Sequence, residues 1–197
     1  MLIIYDMQIV HYTLGFPSHR SGGLVKYALD LAEQEKKLGH QITIIYPGNI
    51  YFIGSSICKL VKEKEKNGFV VYKLANALPI PLLYGTKFPQ DFIKQRHIAD
   101  FDRFINDCKP DIFHVHTLMG LPIELIKGMK DAGVKIVYTS HDYFGLCPRV
   151  NFVNDRGCVC VSASPYRCAL CCSDSKSTLF LKLRNSKFVV PLKKMLR

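Results

Sequence analysis

The sequence predicts an α/β fold, a parallel sheet with helices on both faces. Strand-length apolar segments alternate with amphipathic helix-length segments along most of the chain, the pattern of βαβ units. Within that alternation, Asp111-Ile112-Phe113-His114-Val115-His116-Thr117 and Lys135-Ile136-Val137-Tyr138-Thr139-Ser140-His141 flank one helix-length segment, Leu121 to Gly133. Two strands joined in this way are parallel neighbours with their C-terminal ends on one edge. Both segments end in a histidine and a loop, and ligands of open α/β sheets bind at that edge. His116 and His141 are therefore expected where chemistry is done.

Each element follows from local pattern. Residues 8–13 read as the first strand, and the loop Leu14 to Ser21 holds Gly15, Pro17, His19 and Arg20. Gly22-Gly23 opens a helix from Leu24 to Leu38, with Leu24, Val25, Ala28, Leu31, Ala32 and Leu38 at helical spacing. Glu33 and Lys37 support it as an i,i+4 pair, and Gly39 stops it. Ile42 to Tyr46 is a buried strand closed by Pro47-Gly48. Ile57 to Lys66 is expected to be a short charged helix, and Phe69 to Leu74 a strand. Gln90 to Asp107 is expected to form one helix, turning Phe92, Ile93, Ile98, Phe101, Phe104 and Ile105 inward. His114 is expected to face away from His116, as a hydrogen-bonded packing residue. After Pro148 the chain becomes irregular and cysteine-rich. Residues 178–197 are basic and apolar and are expected to be helical up to Pro191. Three segments result: a sheet domain over 1–146, a cysteine-rich insertion over 147–175 and a basic amphipathic tail over 176–197.

The 197 residues suit one α/β domain, and 48% hydrophobic content suffices for a core. No apolar run approaches the ~18–20 residues that span a bilayer. The apolar opening contains Asp6 and lacks a basic leader, so it reads as a strand and not as a signal peptide. The net charge of +11 is uneven: residues 173–197 carry seven Lys/Arg and one acidic residue. Such a tail suits an anionic surface, or it is a solvated helix face. Only Phe180 and Phe188 are available there for stacking on bases, so no nucleic-acid partner is expected.

Glycines at a helix start let a ligand approach the backbone, and the free N–H groups there suit a phosphate. A tight turn with a cap is the competing reading of Gly22-Gly23. The spacing is not G-x-G-x-x-G and no acidic ribose reader follows the second strand, which argues against a nicotinamide cofactor. Six of the eight cysteines fall within residues 147–172. In a reducing compartment that density favours metal over disulfides. Cys168 and Cys171 have the spacing of a zinc knuckle, and Cys147 with Cys158 (or Cys160) completes a tetrahedral set. Free thiols or a redox pair remain the alternative.

The stretch Phe16-Pro17-Ser18-His19-Arg20-Ser21-Gly22-Gly23-Leu24-Val25-Lys26-Tyr27 and the later Leu38-Gly39-His40-Gln41-Ile42-Thr43 resemble the opening of family 4 glycosyltransferases. Lys109-Pro110-Asp111-Ile112-Phe113-His114-Val115-His116 and Val137-Tyr138-Thr139-Ser140-His141-Asp142-Tyr143-Phe144-Gly145-Leu146-Cys147-Pro148 fit the same family in order and spacing. The resemblance implies the N-terminal, acceptor-side half of a GT-B fold, a Rossmann-like domain facing a second one that binds the nucleotide-sugar donor. It implies retaining transfer with no divalent metal required. Gly22 and Gly23 would reach the donor diphosphate, His141 would lie near the transferred sugar and acceptor, and His116 would line the same edge. Arg20 and Asp142 carry over more weakly. Some members have a similar cysteine insertion, consistent with a structural zinc.

No donor domain or paired-glutamate motif is found up to Arg197, so the chain is expected to be a truncated product, one partner of a split enzyme or an excised domain. The expected partners are a nucleotide-sugar donor, a lipid-linked or polysaccharide acceptor of cell-surface glycan synthesis, a separate donor-domain chain and an anionic membrane surface. The expected location is cytoplasmic, peripheral at the inner face of the cell membrane. The alternative is an inactive fragment or an interaction module.

Overall fold

The computed structural model describes residues 6–17, 20–51, 57–81, 85–86, 88–184 and 186. Seven strands form one sheet in the order β5-β3-β4-β2-β1-β6-β7. They are β1 (Gln8–Tyr12), β2 (Gln41–Pro47), β3 (Cys58–Lys62), β4 (Val70–Ala75), β5 (Ile98–Ala99), β6 (Ile112–Val115) and β7 (Lys135–Tyr138). All pairings are parallel except β3 with β4. The helices are α1 (Gly23–Lys37), α2 (Phe101–Cys108), α3 (Ile123–Asp131), α4 (Pro165–Cys171) and α5 (Thr178–Arg184). The architecture is α/β and Rossmann-like, as the alternation of segments implies.

Both sheet faces are covered, and the strands alternate between them. Ile9, Ile42, Ile44 and Val71 pack with Ala32 of α1 on one face. Val10, Tyr12, Ile45, Leu74 and Phe113 pack with Phe104 of α2 and Leu125 and Met129 of α3 on the other. Val25, Ala28 and Ala32 give α1 its buried stripe, and Leu38, expected in that stripe, is exposed at the C-cap. Lys37 Nζ lies 3.1 Å from Glu33, and Gly39 ends the helix at φ 98°.

Two segments differ from the sequence expectation. Residues 57–66 are not a helix: Cys58 and Leu60 are buried while Lys59 between them is exposed, the period-two alternation of β3. The single helix expected over 90–107 is three pieces: a 3-10 turn at Pro89–Phe92, then β5, then α2. Ile98 leaves helical geometry because it pairs with Cys58 of β3, and Asp100 at φ 62° separates β5 from α2. Ile93, expected inside, is 72% exposed. Edge-strand pairing overrides a helical periodicity here. The tail is helical over α5, and its expected continuation through Lys187, Phe188 and Val189 to Pro191 lies outside the described residues.

Candidate functional site

Parallel register sets β1 beside β6, with His11 opposite His114. Odd and even positions face opposite ways along a strand, so His11 shares the α1 face with Ile9, and His114 shares it with Ile112. His116, the first residue after β6, lies on that face too. The expected opposition of His114 and His116 is therefore wrong: residues two apart in a strand share a face. Their rings stack with centroids 4.1 Å apart, and each is 5.3 Å from the ring of His11.

These imidazoles form a hydrogen-bonded row that ends at the sheet edge. Glu35, in the last turn of α1, places a carboxylate oxygen 2.6 Å from His11 Nε2. His11 Nδ1 is 2.9 Å from His116 Nε2. His116 Nδ1 is 3.4 Å from Nε2 of His141, in the loop after β7. His114 turns aside to pair with Thr139 Oγ1 at 2.8 Å, so its expected role as a hydrogen-bonded residue holds. His11 and His116 have no exposed surface, whereas His141 is half-buried. Burial holds the His116 imidazole down at about 2, with the rings of His114, His11 and His141 acting in the same direction. Burial, and then His11, lowers His114 likewise.

Tyr27, one turn into α1, ties the glycine-headed helix start to this row. Its ring meets His141 edge-on at 4.8 Å and His116 at 5.9 Å. Gly22 caps α1 at φ 140°, a conformation that side chains rarely adopt. A Cβ built on either Gly22 or Gly23 meets nothing within 4 Å. The pair therefore leaves open backbone at a helix N-terminus and is not a packing device. A groove of ≈ 920 Å³ begins at Ser21, Gly22 and Gly23 and runs along the outside of α1 past Lys26 to Phe69. None of the four histidines lines it.

The other expected site residues fall into place unevenly. Arg20 is half-buried. Burial lowers its guanidinium pKa, and the Arg184 guanidinium lowers it further. The Asp142 side chain is committed to its own loop, where Oδ1 accepts the Phe144 N–H at 2.8 Å. That loop continues into the cysteine-rich segment, where Tyr143 N–H donates to Val150 O and Cys147 N–H to Tyr143 O. Cys147, Cys160, Cys168, Cys171 and Cys172 line one cavity of ≈ 490 Å³. Cys158 is exposed and is not among its lining residues. Thiolates are zinc donors, but among the described residues the groups that lie within 4.8 Å of one another are the imidazoles of His11, His114 and His116 and not these cysteines. Cys58 is buried, which pushes its thiol up to about 12 and leaves it unreactive.

Two members of the row, His11 and Glu35, and the Tyr27 that abuts it are not singled out by the sequence. His11 carried a signal, being a polar residue inside an otherwise apolar strand. Glu35 and Tyr27 sit among the polar residues of α1, and only the way α1 lies across the sheet brings Glu35 to His11 and Tyr27 to His116 and His141.

Fold and edge together define a class, the Rossmann-like α/β domains that present polar side chains and a glycine-headed helix at the C-terminal strand edge. The family model of Glycosyltransferase Family 4 matches residues 21–157, which is most of the chain, and the protein belongs to that family. Membership implies glycosyl transfer, with a nucleotide-sugar donor and a glycan acceptor in general terms. No curated protein matches the chain.

Proposed function

We propose that this chain is the acceptor-side half of a retaining glycosyltransferase that moves a sugar from a nucleotide-sugar to a lipid-linked or polysaccharide acceptor in cell-surface glycan synthesis. The observation that supports this reading is the contact of Tyr27, one turn into α1, with His141. A departing nucleoside diphosphate accumulates negative charge. Backbone N–H groups at Gly22 and Gly23, aided by the cationic Arg20, stabilise such charge without reorganising. The outer nitrogen of His141 is available for a hydrogen bond with a sugar hydroxyl of the acceptor or of the transferred group. The donor's remaining contacts belong to a second Rossmann-like domain, either in the same polypeptide or in a separate chain. No divalent metal is needed for the transfer in this reading.

The test is a transfer assay over a panel of nucleotide-sugars, run with this chain alone and with a donor-domain protein encoded nearby. Transfer in the combined assay, reduced roughly 100-fold by His141→Ala, is the expected outcome. Absence of transfer in both arms overturns the reading in favour of an inactive fragment or interaction module.

A structural zinc is part of the same proposal, held by Cys147, Cys168, Cys171 and either Cys158 or Cys160. Cys160 has the better position, since it shares a cavity with the other three. Such a site would fasten a segment in which α4 buries no side chain. Elemental analysis of purified protein should return one zinc per chain. Cys171→Ser should lose it, as should Cys160→Ser but not Cys158→Ser. Zinc-free protein with full thiol reactivity would sink this assignment.

A further inference from the structure

We propose that Glu35, His11 and His116 are positioning residues that hold His141 in a single tautomer, with its proton on Nε2 and the lone pair of Nδ1 left for a hydroxyl of the bound glycan. The proposal rests on the reading of His141 as a residue that touches the reacting groups.

Donor and acceptor capacity settles the polarity of the row. A glutamate carboxylate only accepts, so His11 donates from Nε2 across the 2.6 Å contact. A neutral His11 then has a lone pair on Nδ1. The 2.9 Å contact to His116 is made only if His116 donates from Nε2. His116 is then left with a lone pair on Nδ1, and the 3.4 Å contact requires a proton on His141 Nε2. The outer nitrogen of His141 has no partner among the described residues. Protonating His11 instead would leave its donation to Glu35 as it is and reverse the two links beyond it, at the cost of a charge on a ring with no exposed surface. Zinc is the other conceivable organiser of three close imidazoles. However, both nitrogens of His11 and both of His116 already have hydrogen-bond partners, and His114 Nε2 is held by Thr139.

The row therefore differs from a chance cluster of buried histidines. Each link commits one nitrogen and frees the next, and it runs from a carboxylate on α1 to an imidazole in the β7 loop. A tautomer fixed in this way accepts a hydrogen bond from a sugar hydroxyl and turns that oxygen's other lone pairs outward. A free histidine would divide its time between two tautomers, and only one of them does this.

Long-range proton–nitrogen correlation spectra of the ¹⁵N-histidine-labelled chain read each tautomer directly and need no substrate. His11, His116 and His141 are expected as neutral Nε2–H forms. An Nδ1–H form at His116 or His141, or an imidazolium at His11 near neutral pH, overturns the proposal. His116→Gln keeps a donor toward His11 and an acceptor toward His141, so His141 should remain Nε2–H. His116→Leu should release His141 into a mixture of tautomers. If the leucine variant does not fold, the wild-type and glutamine spectra still decide. Equimolar zinc should leave these resonances unchanged, and zinc-induced shifts confined to His11, His114 and His116 would overturn the relay in favour of a metal site. In the combined transfer assay, His116→Leu should lower kcat about tenfold with KM little changed, and His116→Gln should recover most of it. Spectra as expected together with a His141→Ala variant as active as the wild type would refute the glycosyl-transfer role of His141 while leaving the hydrogen-bonded row intact.

Discussion

His116 is fully enclosed, and burial with three neighbouring imidazoles holds its pKa down at about 2, against about 6.5 in an unfolded chain. Between those values the unfolded chain binds the extra proton and the folded chain does not. Its contribution is thus fully present above pH 6.5 and is lost as the pH falls toward 2, by at most ~1.4 kcal/mol per pH unit. His114 moves in the same direction. Glu63 follows a different window. Burial raises its pKa, but hydrogen bonds from Lys66, Tyr46 and Lys73 outweigh that and hold it down at about 2. Its contribution is lost only as the pH falls below about 4.5. Urea unfolding between pH 7.5 and 5 should therefore show stability falling with acid, with His116 and His114 contributing to the fall. His116→Gln should flatten that slope and Glu63→Gln should not. An unchanged slope in His116→Gln would place the acid sensitivity elsewhere.

At the scale of elements, the two ends of the α2–α3 region give substitutions of opposite sign. Lys109 caps α2 in the left-handed region at φ 45°, ψ 58°, where a Cβ costs roughly 1–2 kcal/mol. Lys109→Gly should therefore raise the melting temperature. Gly128 lies inside α3, where alanine is normally better by up to about 1 kcal/mol. A Cβ there would come within 2.7 Å of the Phe101 ring, and overpacking of that kind typically costs about 1–3 kcal/mol. Gly128→Ala should lower the melting temperature, and a rise would mean that Phe101 swings aside freely. The same region shows what sequence pattern can and cannot reveal. β1, α1, β2, β4, β6, α3 and β7 were legible because each has one periodicity and a clear stop, such as Gly39 or Gly133. β3 and β5 were not, because a two-residue strand at Ile98 is specified by its partner Cys58 some forty positions away. The site divided along the same line. His116 and His141 were legible as strand-end residues, while Glu35 and Tyr27 depend on how α1 lies across the sheet.

Across the whole molecule, charge and apolar surface converge on the C-terminal part of the chain. Residues 173–197 hold seven of the 27 basic groups. Leu181 is buried and Thr178 donates to Asp91, so α5 is seated on the domain. Leu179, Phe180 and Leu183 are exposed beside Lys182. No helix among the described residues is long and apolar enough to cross a membrane. A short helix with apolar and basic groups outward suits the surface of an anionic bilayer, which is where a lipid-linked acceptor at the inner face of the membrane would be met. Basic residues near such a surface are worth about 1 kcal/mol each. Replacing Lys176 and Lys182 by glutamine should weaken binding to anionic vesicles roughly thirtyfold. Raising the salt should weaken it further, and zwitterionic vesicles should bind little. Phe180→Glu with Leu183→Glu should abolish flotation while leaving the buried Leu181 and the fold intact. Removal of residues 176–197 with no change in flotation would show that the exposed face of α5 meets protein and not lipid.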